Sequence, residues 1–341
     1  AQIWSGYLMP ITNVINNLNY VLIAIVSGLM AAAGQLSVGT ISSFLLYSRQ
    51  FTRPFVDIAN IYNNFQTAVA GAERIFEIFD EEPEPADRPD ALPLDHPKGE
   101  IRLEHVTFGY RPEEPVLKDV SLYIPAGTRV AVAGPTGAGK TTLINLLTRF
   151  YDVQEGAILL DGHDLRDYRM ADLRSAFGVV LQDTALFGES IRNNISYGKE
   201  NVPFEKIREA AVRAGADAFI RRLPQGYDTV LTQGGAELSQ GERQLLTIAR
   251  ALLSDAPILI LDEATSSVDT VTEQHIRRAM DAAASGRTSF LIAHRLSTIR
   301  DCDLILLIEN GKIVEKGSHE ELMRLDGSYA KMYRTQMGIA G

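Results

Sequence analysis

The sequence has 341 residues, enough for two domains of ordinary size. Its formal net charge is −10, which argues against nucleic acid as a partner. A single cysteine, Cys302, excludes an internal disulfide bond and is consistent with a cytoplasmic domain.

The first part of the chain is apolar and uncharged. No charged residue occurs in 1–48, and the stretch 20–34 is strongly apolar. Together with 11–19 it is long enough, as a helix, to cross a bilayer core of about 30 Å. A signal peptide is disfavoured, because no basic region precedes the apolar one. A buried helix of a soluble protein is the alternative.

A second helix is predicted from about residue 40 to residue 79, after a short turn at 35–39. A helix of that length spans roughly 50–60 Å, so part of it must project into water. The charged residues agree, since they begin at Arg49 and continue to Glu77. The turn has no Lys or Arg, which places it outside and the basic residues toward the cytoplasm. The sequence therefore predicts two transmembrane helices over 1–79.

Residues 80–98 are rich in Pro, Asp and Glu, and this composition predicts a linker. An α/β domain is predicted over 99–341, strand-rich at first, helical over about 184–254, and then alternating between strands and helices. Asn310 and Gly311 predict a hairpin turn near its end. A closing amphipathic helix is expected from Leu322 onward.

A glycine-rich segment lies between an apolar strand at 130–133 and a helical pattern that begins at Leu143. It consists of Gly134, Pro135, Thr136, Gly137, Ala138, Gly139, Lys140, Thr141 and Thr142. This strand–loop–helix context is the one that a phosphate-binding loop requires, because glycines let backbone N–H groups approach a phosphate at a helix N-terminus. We expect Lys140 to reach the β- and γ-phosphates and Thr141 to bind Mg²⁺.

A second turn of this kind, the signature turn, covers 238–244 and reads Leu-Ser-Gln-Gly-Glu-Arg-Gln. A Ser-x-Gly turn that opens a helix offers a hydroxyl and free backbone N–H groups to a phosphate. Because the chain already has one phosphate cradle, the second suggests that each nucleotide is gripped by two chains.

The apolar run 259–261 predicts a buried strand that ends in Asp262. Parallel sheets bind ligands at the carboxyl ends of their strands, so Asp262 is placed to hold Mg²⁺ through water. Glu263 follows it and could polarise an attacking water as a general base.

Taken together, these motifs resemble an ATP-binding cassette (ABC) ATPase, a P-loop NTPase with a β-rich core and a helical subdomain, over about 100–340. The resemblance implies that Tyr110 stacks on adenine, although a tyrosine that merely packs at a strand end is the alternative. It implies that Gln182 contacts Mg²⁺ and couples ATP to the transport domain, and that His294 contacts the γ-phosphate. In trans it implies contacts from Ser239, Gln240, Gly241, Glu242 and Asp269.

Three positions depart from the family's common pattern. Gln240 and Glu242 stand where Gly and Gln are commonest, while Ser239 and Gly241 are kept. Gln233 stands where many exporters have a glutamate that touches the transmembrane domain. The departures leave the ATP sandwich intact and put that one coupling contact in doubt.

The two N-terminal helices resemble the last two transmembrane helices of an ABC exporter. The resemblance implies ATP and Mg²⁺ as ligands, a second ABC subunit (identical or different) as partner, and a multi-pass position in the cell membrane with the ATPase domain in the cytoplasm. The expected function is ATP hydrolysis coupled to moving a small molecule, lipid or peptide out of the cytoplasm.

Two alternatives remain: an importer on the exporter scaffold, and a soluble ABC ATPase. An exporter subunit of this family has six such helices, and the sequence begins with Ala rather than Met. We therefore expect this chain to be a piece of a longer one.

Overall fold

The computed structural model describes residues 2–181, 184–232, 234–262, 270–292 and 296–337. The chain divides into two compact units, Ala1–Pro85 and Ala86–Gly341. The first unit consists of two long helices, and the second combines two β-sheets with shorter helices.

The first unit is a helical hairpin of α1 (Gln2–Ala32) and α2 (Val38–Phe79). Ser37 caps α2 by accepting a hydrogen bond at its Oγ from the N–H of Thr40, at 3.2 Å. The predicted second helix is therefore confirmed, and it begins slightly earlier than expected because of this cap. Between the helices, the Asn19 Nδ2 donates to the Ser48 Oγ at 3.1 Å.

Among the described residues, one helical segment is long and apolar enough to cross a membrane, and this is Asn13–Ala32, with a mean hydropathy of 1.7. The sequence predicted two such helices. Helix α2 carries Arg49, Arg53 and Asp57 in its first half, and these charges lower its hydropathy. The membrane position of α2 stays a prediction.

The second unit contains a four-stranded antiparallel sheet in the order β2-β1-β4-β5. Its strands are β1 (Ile101–Phe108), β2 (Leu117–Ile124), β4 (Glu155–Leu160) and β5 (His163–Asp164). Along β1 and β2 buried and exposed residues largely alternate, so one face of the sheet packs inward.

The larger sheet has six strands in the order β10-β9-β3-β8-β7-β6. They are β3 (Arg129–Ala133), β6 (Phe177–Val180), β7 (Ile258–Asp262), β8 (Thr288–Ile292), β9 (Leu304–Glu309) and β10 (Lys312–Gly317). All pairings are parallel except that of β9 with β10. Asn310 and Gly311 join that pair with φ of 51° and 80°, which confirms the predicted hairpin turn.

The second unit also contains shorter helices. They are α3 (Lys140–Leu147), α4 (Met170–Ser175), α5 (Ile191–Ile195), α6 (Phe204–Arg213), α7 (Asp217–Ile220), α8 (Gln240–Ser254), α9 (Thr270–Ala284), α10 (Leu296–Ile299), α11 (His319–Leu325) and α12 (Ser328–Met337). Helices α5 to α8 lie in sequence between β6 and β7.

The prediction of one closing helix from Leu322 was wrong. Helix α11 begins earlier, after Ser318, whose side chain forms a capping box with Glu321. It ends at Asp326, which has a left-handed φ of 52°, and α12 then starts after Gly327.

Two hydrophobic cores lie on opposite faces of the larger sheet. Successive residues of β3 divide between them, since Val130 and Val132 join one core while Ala131 and Ala133 join the other. This explains why β3 is apolar at consecutive positions. Because β3 is packed on both faces, the start of the segment that follows it is held in place.

Candidate nucleotide site

The segment 134–142, the phosphate loop, connects β3 at the centre of the larger sheet to the N-terminus of α3. Gly139 is the residue that caps α3, with φ of 107° and no side-chain hydrogen bond to the helix. The first N–H groups of a helix lack partners within the helix, and no serine or aspartate stands here to supply one. The end of α3 is therefore built to receive an acceptor from outside.

Two glycines in the loop are required by close packing. A Cβ on Gly134 would collide with the carbonyl oxygen of Ile308 on β9, and one on Gly139 would lie 2.8 Å from the Cδ2 of Leu117. Gly137 differs, since it has φ of 80° but a Cβ there would meet no atom within 4 Å. The loop is thus packed against the domain on one side and open at Gly137 on the other.

Lys140 is buried at the start of α3, and its ammonium group is folded onto the loop. Its Nζ donates to the carbonyl oxygens of Gly134 and Pro135, at 2.7 and 2.9 Å. Burial lowers the pKa of Lys140, and the negative charge of Asp262 opposes that shift.

Asp262 is the last residue of β7 and is half-buried. Strand β8 lies between β7 and β3, and Ile292 of β8 is in register with both Asp262 and Val132. The carboxyl ends of β3 and β7 consequently meet at one edge of the sheet, where parallel sheets bind ligands. Thr141 is exposed at the second position of α3, while Thr142 is buried.

Tyr110 follows the end of β1, and the structure brings it to the side of α3. Its hydroxyl accepts a hydrogen bond from the Asn145 Nδ2 at 3.1 Å and lies 3.3 Å from the Thr142 Oγ1. Its ring meets those of Phe108 and Tyr151 edge-on, with centroids 5.4 and 5.2 Å away. Tyr110 is still 51% exposed, so part of its ring remains open to a ligand.

Ser239, in the signature turn, is the capping residue of α8 and is exposed. Its Oγ donates to the Glu242 carboxylate at 2.9 Å and accepts from the Glu242 N–H at 3.3 Å, while the Ser239 N–H also donates to that carboxylate, at 2.9 Å. This reciprocal pair is a capping box, and it explains why a glutamate suits position 242. The sequence analysis treated Glu242 only as a departure from the commoner glutamine. The signal was present in the spacing Ser239-x-x-Glu242. Gly241 is buried and Gln240 half-buried in the same turn.

Five residues singled out from the sequence lie outside the described residues, so their placement stays a prediction. They are Gln182, Gln233, Glu263, Asp269 and His294. Glu263 comes directly after the last residue of β7, and His294 comes two positions after the last residue of β8.

Residues 117–266, which include the phosphate loop, the signature turn and Asp262, match the family model described as ABC transporter. These residues form a domain of the ABC transporter type. The predicted fold, an ABC-type ATPase domain of the P-loop class, is confirmed.

Several curated ABC transporters are similar to this chain over nearly its whole length. An uncharacterized ABC transporter ATP-binding protein of Bacillus subtilis is 48% identical over 336 residues, covering 98% of this chain and 56% of that protein. A fatty acid ABC transporter ATP-binding/permease protein of Mycobacterium bovis is 49% identical, covering 98% and 53%. An ATP-dependent lipid A-core flippase of Desulfotalea psychrophila is 45% identical, covering 96% and 57%.

Among solved structures, a bacterial Atm1-family ABC exporter with ATP bound has a TM-score of 0.72 and 40% identity, covering 95% of this chain and 58% of that one. The chain thus spans about half the length of the relatives that it matches.

Proposed function

We propose that this chain is the ATP-binding and ATP-hydrolysing part of an ABC exporter, in which two nucleotide-binding domains hold ATP between them. The observation that carries the proposal is the common edge of β3 and β7. At that edge the Asp262 carboxylate ends β7, and the segment after β3 leads to the buried Lys140 at a helix end with a glycine cap. Cation, carboxylate and free N–H groups are the set that phosphoryl transfer requires.

The phosphate loop would grip the β- and γ-phosphates of ATP with backbone N–H groups and with Lys140. For this the Lys140 ammonium group leaves the carbonyl oxygens of Gly134 and Pro135, to which it now donates. Phosphate oxygens carry full charge, so they stabilise the protonated amine better than carbonyl dipoles do, and they reverse the effect of burial on its pKa.

The residues beside the loop fit a magnesium ion. Mg²⁺ prefers hard oxygen ligands, and the Thr141 hydroxyl and the Asp262 carboxylate are such groups. We assign the ion to Thr141, to Gln182 and, through water, to Asp262. When bound, Mg²⁺ would neutralise charge on the phosphates.

The hydrolytic step depends on residues known here from the sequence. Glu263 would position or deprotonate the attacking water, and His294 would steady the γ-phosphate. Tyr110, with part of its ring exposed beside α3, would stack on the adenine.

The second half of each nucleotide site would come from a partner subunit, either a second copy or a different ABC chain. The exposed Ser239 hydroxyl at the end of α8, with Gln240, Gly241 and Glu242, would contact the phosphate bound by the partner, and Asp269 would cross the same interface. ATP then closes the pair, and hydrolysis releases it.

The proposal also covers the transported substrate and the direction of transport. Helix α1 is apolar enough to span a membrane, and two of the relatives are named for fatty acid and for lipid A-core. Among small molecules, lipids and peptides, these names favour a lipid leaving the cytoplasm. The ATPase unit would face the cytoplasm, with α1 and α2 belonging to a multi-pass region of the cell membrane.

Glu263→Gln tests the hydrolytic assignment. ATP binding should be kept, whereas turnover should fall by roughly 10²–10⁴-fold, the usual effect of losing a general base. Steady-state phosphate release and equilibrium binding of ATP measure the two quantities. Glu205→Gln, on the exposed face of α6, is the matched control and should leave both unchanged. Near-normal turnover in Glu263→Gln would overturn the assignment.

A further inference from the structure

The tyrosine proposed to stack on adenine lies on an exposed connection, so something must fix its position. Tyr110 is two residues beyond β1, and the connection runs on to β2. A stacking ring discriminates a base only if it is held in place before the base arrives, because ordering it afterwards costs binding free energy. This inference rests on the stacking role proposed above for Tyr110.

The backbone just before Tyr110 is held by one distant side chain, Gln154. The Gly109 N–H donates to the Gln154 Oε1 at 2.9 Å, and the Gln154 Nε2 donates to the Gly109 carbonyl oxygen at 2.9 Å. One amide group therefore satisfies both backbone groups of one residue, as a neighbouring strand would.

The position of Gln154 in the chain explains this match. It directly precedes β4, and the last register pair between β1 and β4 is Thr107 with Glu155. The Gln154 N–H also donates to the Thr107 carbonyl oxygen, at 3.2 Å. Its side chain thus extends the ladder to Gly109, past the last pair formed by the two backbones.

Gly109 is confined on its other side as well. A Cβ there would lie 2.8 Å from the Arg111 carbonyl oxygen and would collide with that of Glu114. The Val116 N–H closes the connection by donating to the Phe108 carbonyl oxygen at 2.8 Å. With Gly109 held between this turn and the Gln154 amide, the Cα of Tyr110 has little freedom.

We propose that Gln154 is a positioning residue for adenine recognition: its side-chain amide clamps Gly109 and so presets the ring of Tyr110 for the base. The segment between α3 and β4 contacts the Tyr110 region at two points. Besides Gln154, it contains Tyr151, whose ring meets that of Tyr110 edge-on with centroids 5.2 Å apart. The segment that follows the phosphate-binding helix thereby also organises the base-binding side.

The test compares two ligands on the full chain by isothermal titration calorimetry: ATP, and inorganic tripolyphosphate, which has no base. Gln154→Ala should weaken ATP binding by about 3- to 10-fold, the value of one or two exposed hydrogen bonds, and leave tripolyphosphate binding unchanged. Gln154→Glu keeps the size but loses the donor to Gly109, and should weaken ATP at least as much. Glu155→Gln, the exposed next residue, is the control and should change neither ligand.

A double-mutant cycle with Tyr110→Ala separates positioning from general destabilisation. In the Tyr110→Ala background, Gln154→Ala should have no further effect on ATP, because the ring that it positions is gone. Additive losses, equal losses of ATP and tripolyphosphate, or unchanged ATP binding in Gln154→Ala would each overturn the proposal. If Tyr110→Ala itself leaves ATP binding unchanged, the stacking role fails first, and that result identifies the proposed function as the step in error.

Discussion

Helices α3 and α8 both begin at a turn expected to touch phosphate, yet their N-termini are built in opposite ways. Helix α3 is capped by Gly139, which offers no side-chain acceptor, and its first residue is the buried cation Lys140. Helix α8 is capped by Ser239, whose hydroxyl and N–H are both engaged by the Glu242 carboxylate.

The difference concerns what each helix end needs from outside. The end of α3 has a cation and open N–H groups, and its electrostatics are completed by an anion. The end of α8 already has its anion in Glu242, so it is stable alone, and the exposed Ser239 hydroxyl must leave the Glu242 carboxylate before it can donate to a phosphate. The first end is suited to hold ATP within one chain, and the second to add a contact after the partner has bound ATP.

Of the changes that test this difference between α3 and α8, removal of the Lys140 ammonium group should have the largest effect. Lys140→Ala deletes charged hydrogen bonds to phosphate, worth about 1.5–3 kcal/mol, so the ATP dissociation constant should rise roughly 10- to 100-fold. Calorimetric titration measures it, with Lys206→Ala on the exposed face of α6 as control. Unchanged affinity would mean that the Lys140 ammonium group stays on the loop carbonyls when ATP binds.

The next largest effect is expected when the glycine that caps α3 is given a side chain. Gly139→Ala forces an alanine to φ of 107° and brings its Cβ to 2.8 Å from the Leu117 Cδ2. The free energy of unfolding should fall by about 1–3 kcal/mol, as measured by urea denaturation. In Gly188→Ala the new Cβ would lie 3.8 Å from the Leu231 carbonyl oxygen, an ordinary contact, so stability should hardly change. A stable Gly139→Ala protein would show that the loop can relax.

Removing the cap of α8 should affect stability and pairing, but not binding within one chain. Ser239→Ala should lower the free energy of unfolding by about 0.5–2 kcal/mol, the value of a lost N-cap. It should also impair the ATPase activity of the dimer while the ATP affinity of isolated monomers stays the same. Equal losses in both would place the signature turn in the same nucleotide site as Lys140 and abolish the contrast.

The smallest effect is expected when the Glu242 carboxylate of α8 is neutralised. Glu242→Gln removes a charge that stabilises a helix N-terminus, so the free energy of unfolding should fall by about 0.3–1 kcal/mol. It also removes a negative charge beside the partner's phosphate and should raise the dimer fraction at a given ATP concentration. Sedimentation velocity in the Glu263→Gln background, where ATP persists, measures that fraction. A smaller dimer fraction would show that the capping box, rather than charge, controls pairing.

The sequence predicted the elements that depend on residues close together in the chain. Glycine spacing and an apolar strand predicted the loop before α3, and the dipeptide of Asn310 and Gly311 predicted the last hairpin, where both residues have positive φ. Contacts between residues far apart in sequence were out of reach, as with Gln154 and Gly109, which meet only because β4 pairs with β1.

Two other departures from the prediction had local signals in the sequence. Glu242 was taken as a variation on a glutamine, although Ser239-x-x-Glu242 is a capping box. The C-terminal helix was expected to be continuous, although Asp326 and Gly327 are residues that readily end a helix.

The position of the Lys140 side chain has a kinetic consequence. Because its Nζ donates to the Gly134 and Pro135 carbonyl oxygens, the Lys140 side chain ties the first residue of α3 to the start of the loop. A nucleotide would meet a loop that these contacts already hold, so its association would not wait for the loop to fold. When a nucleotide leaves, the Lys140 Nζ would regain these two carbonyl contacts, which would offset part of the free energy of release.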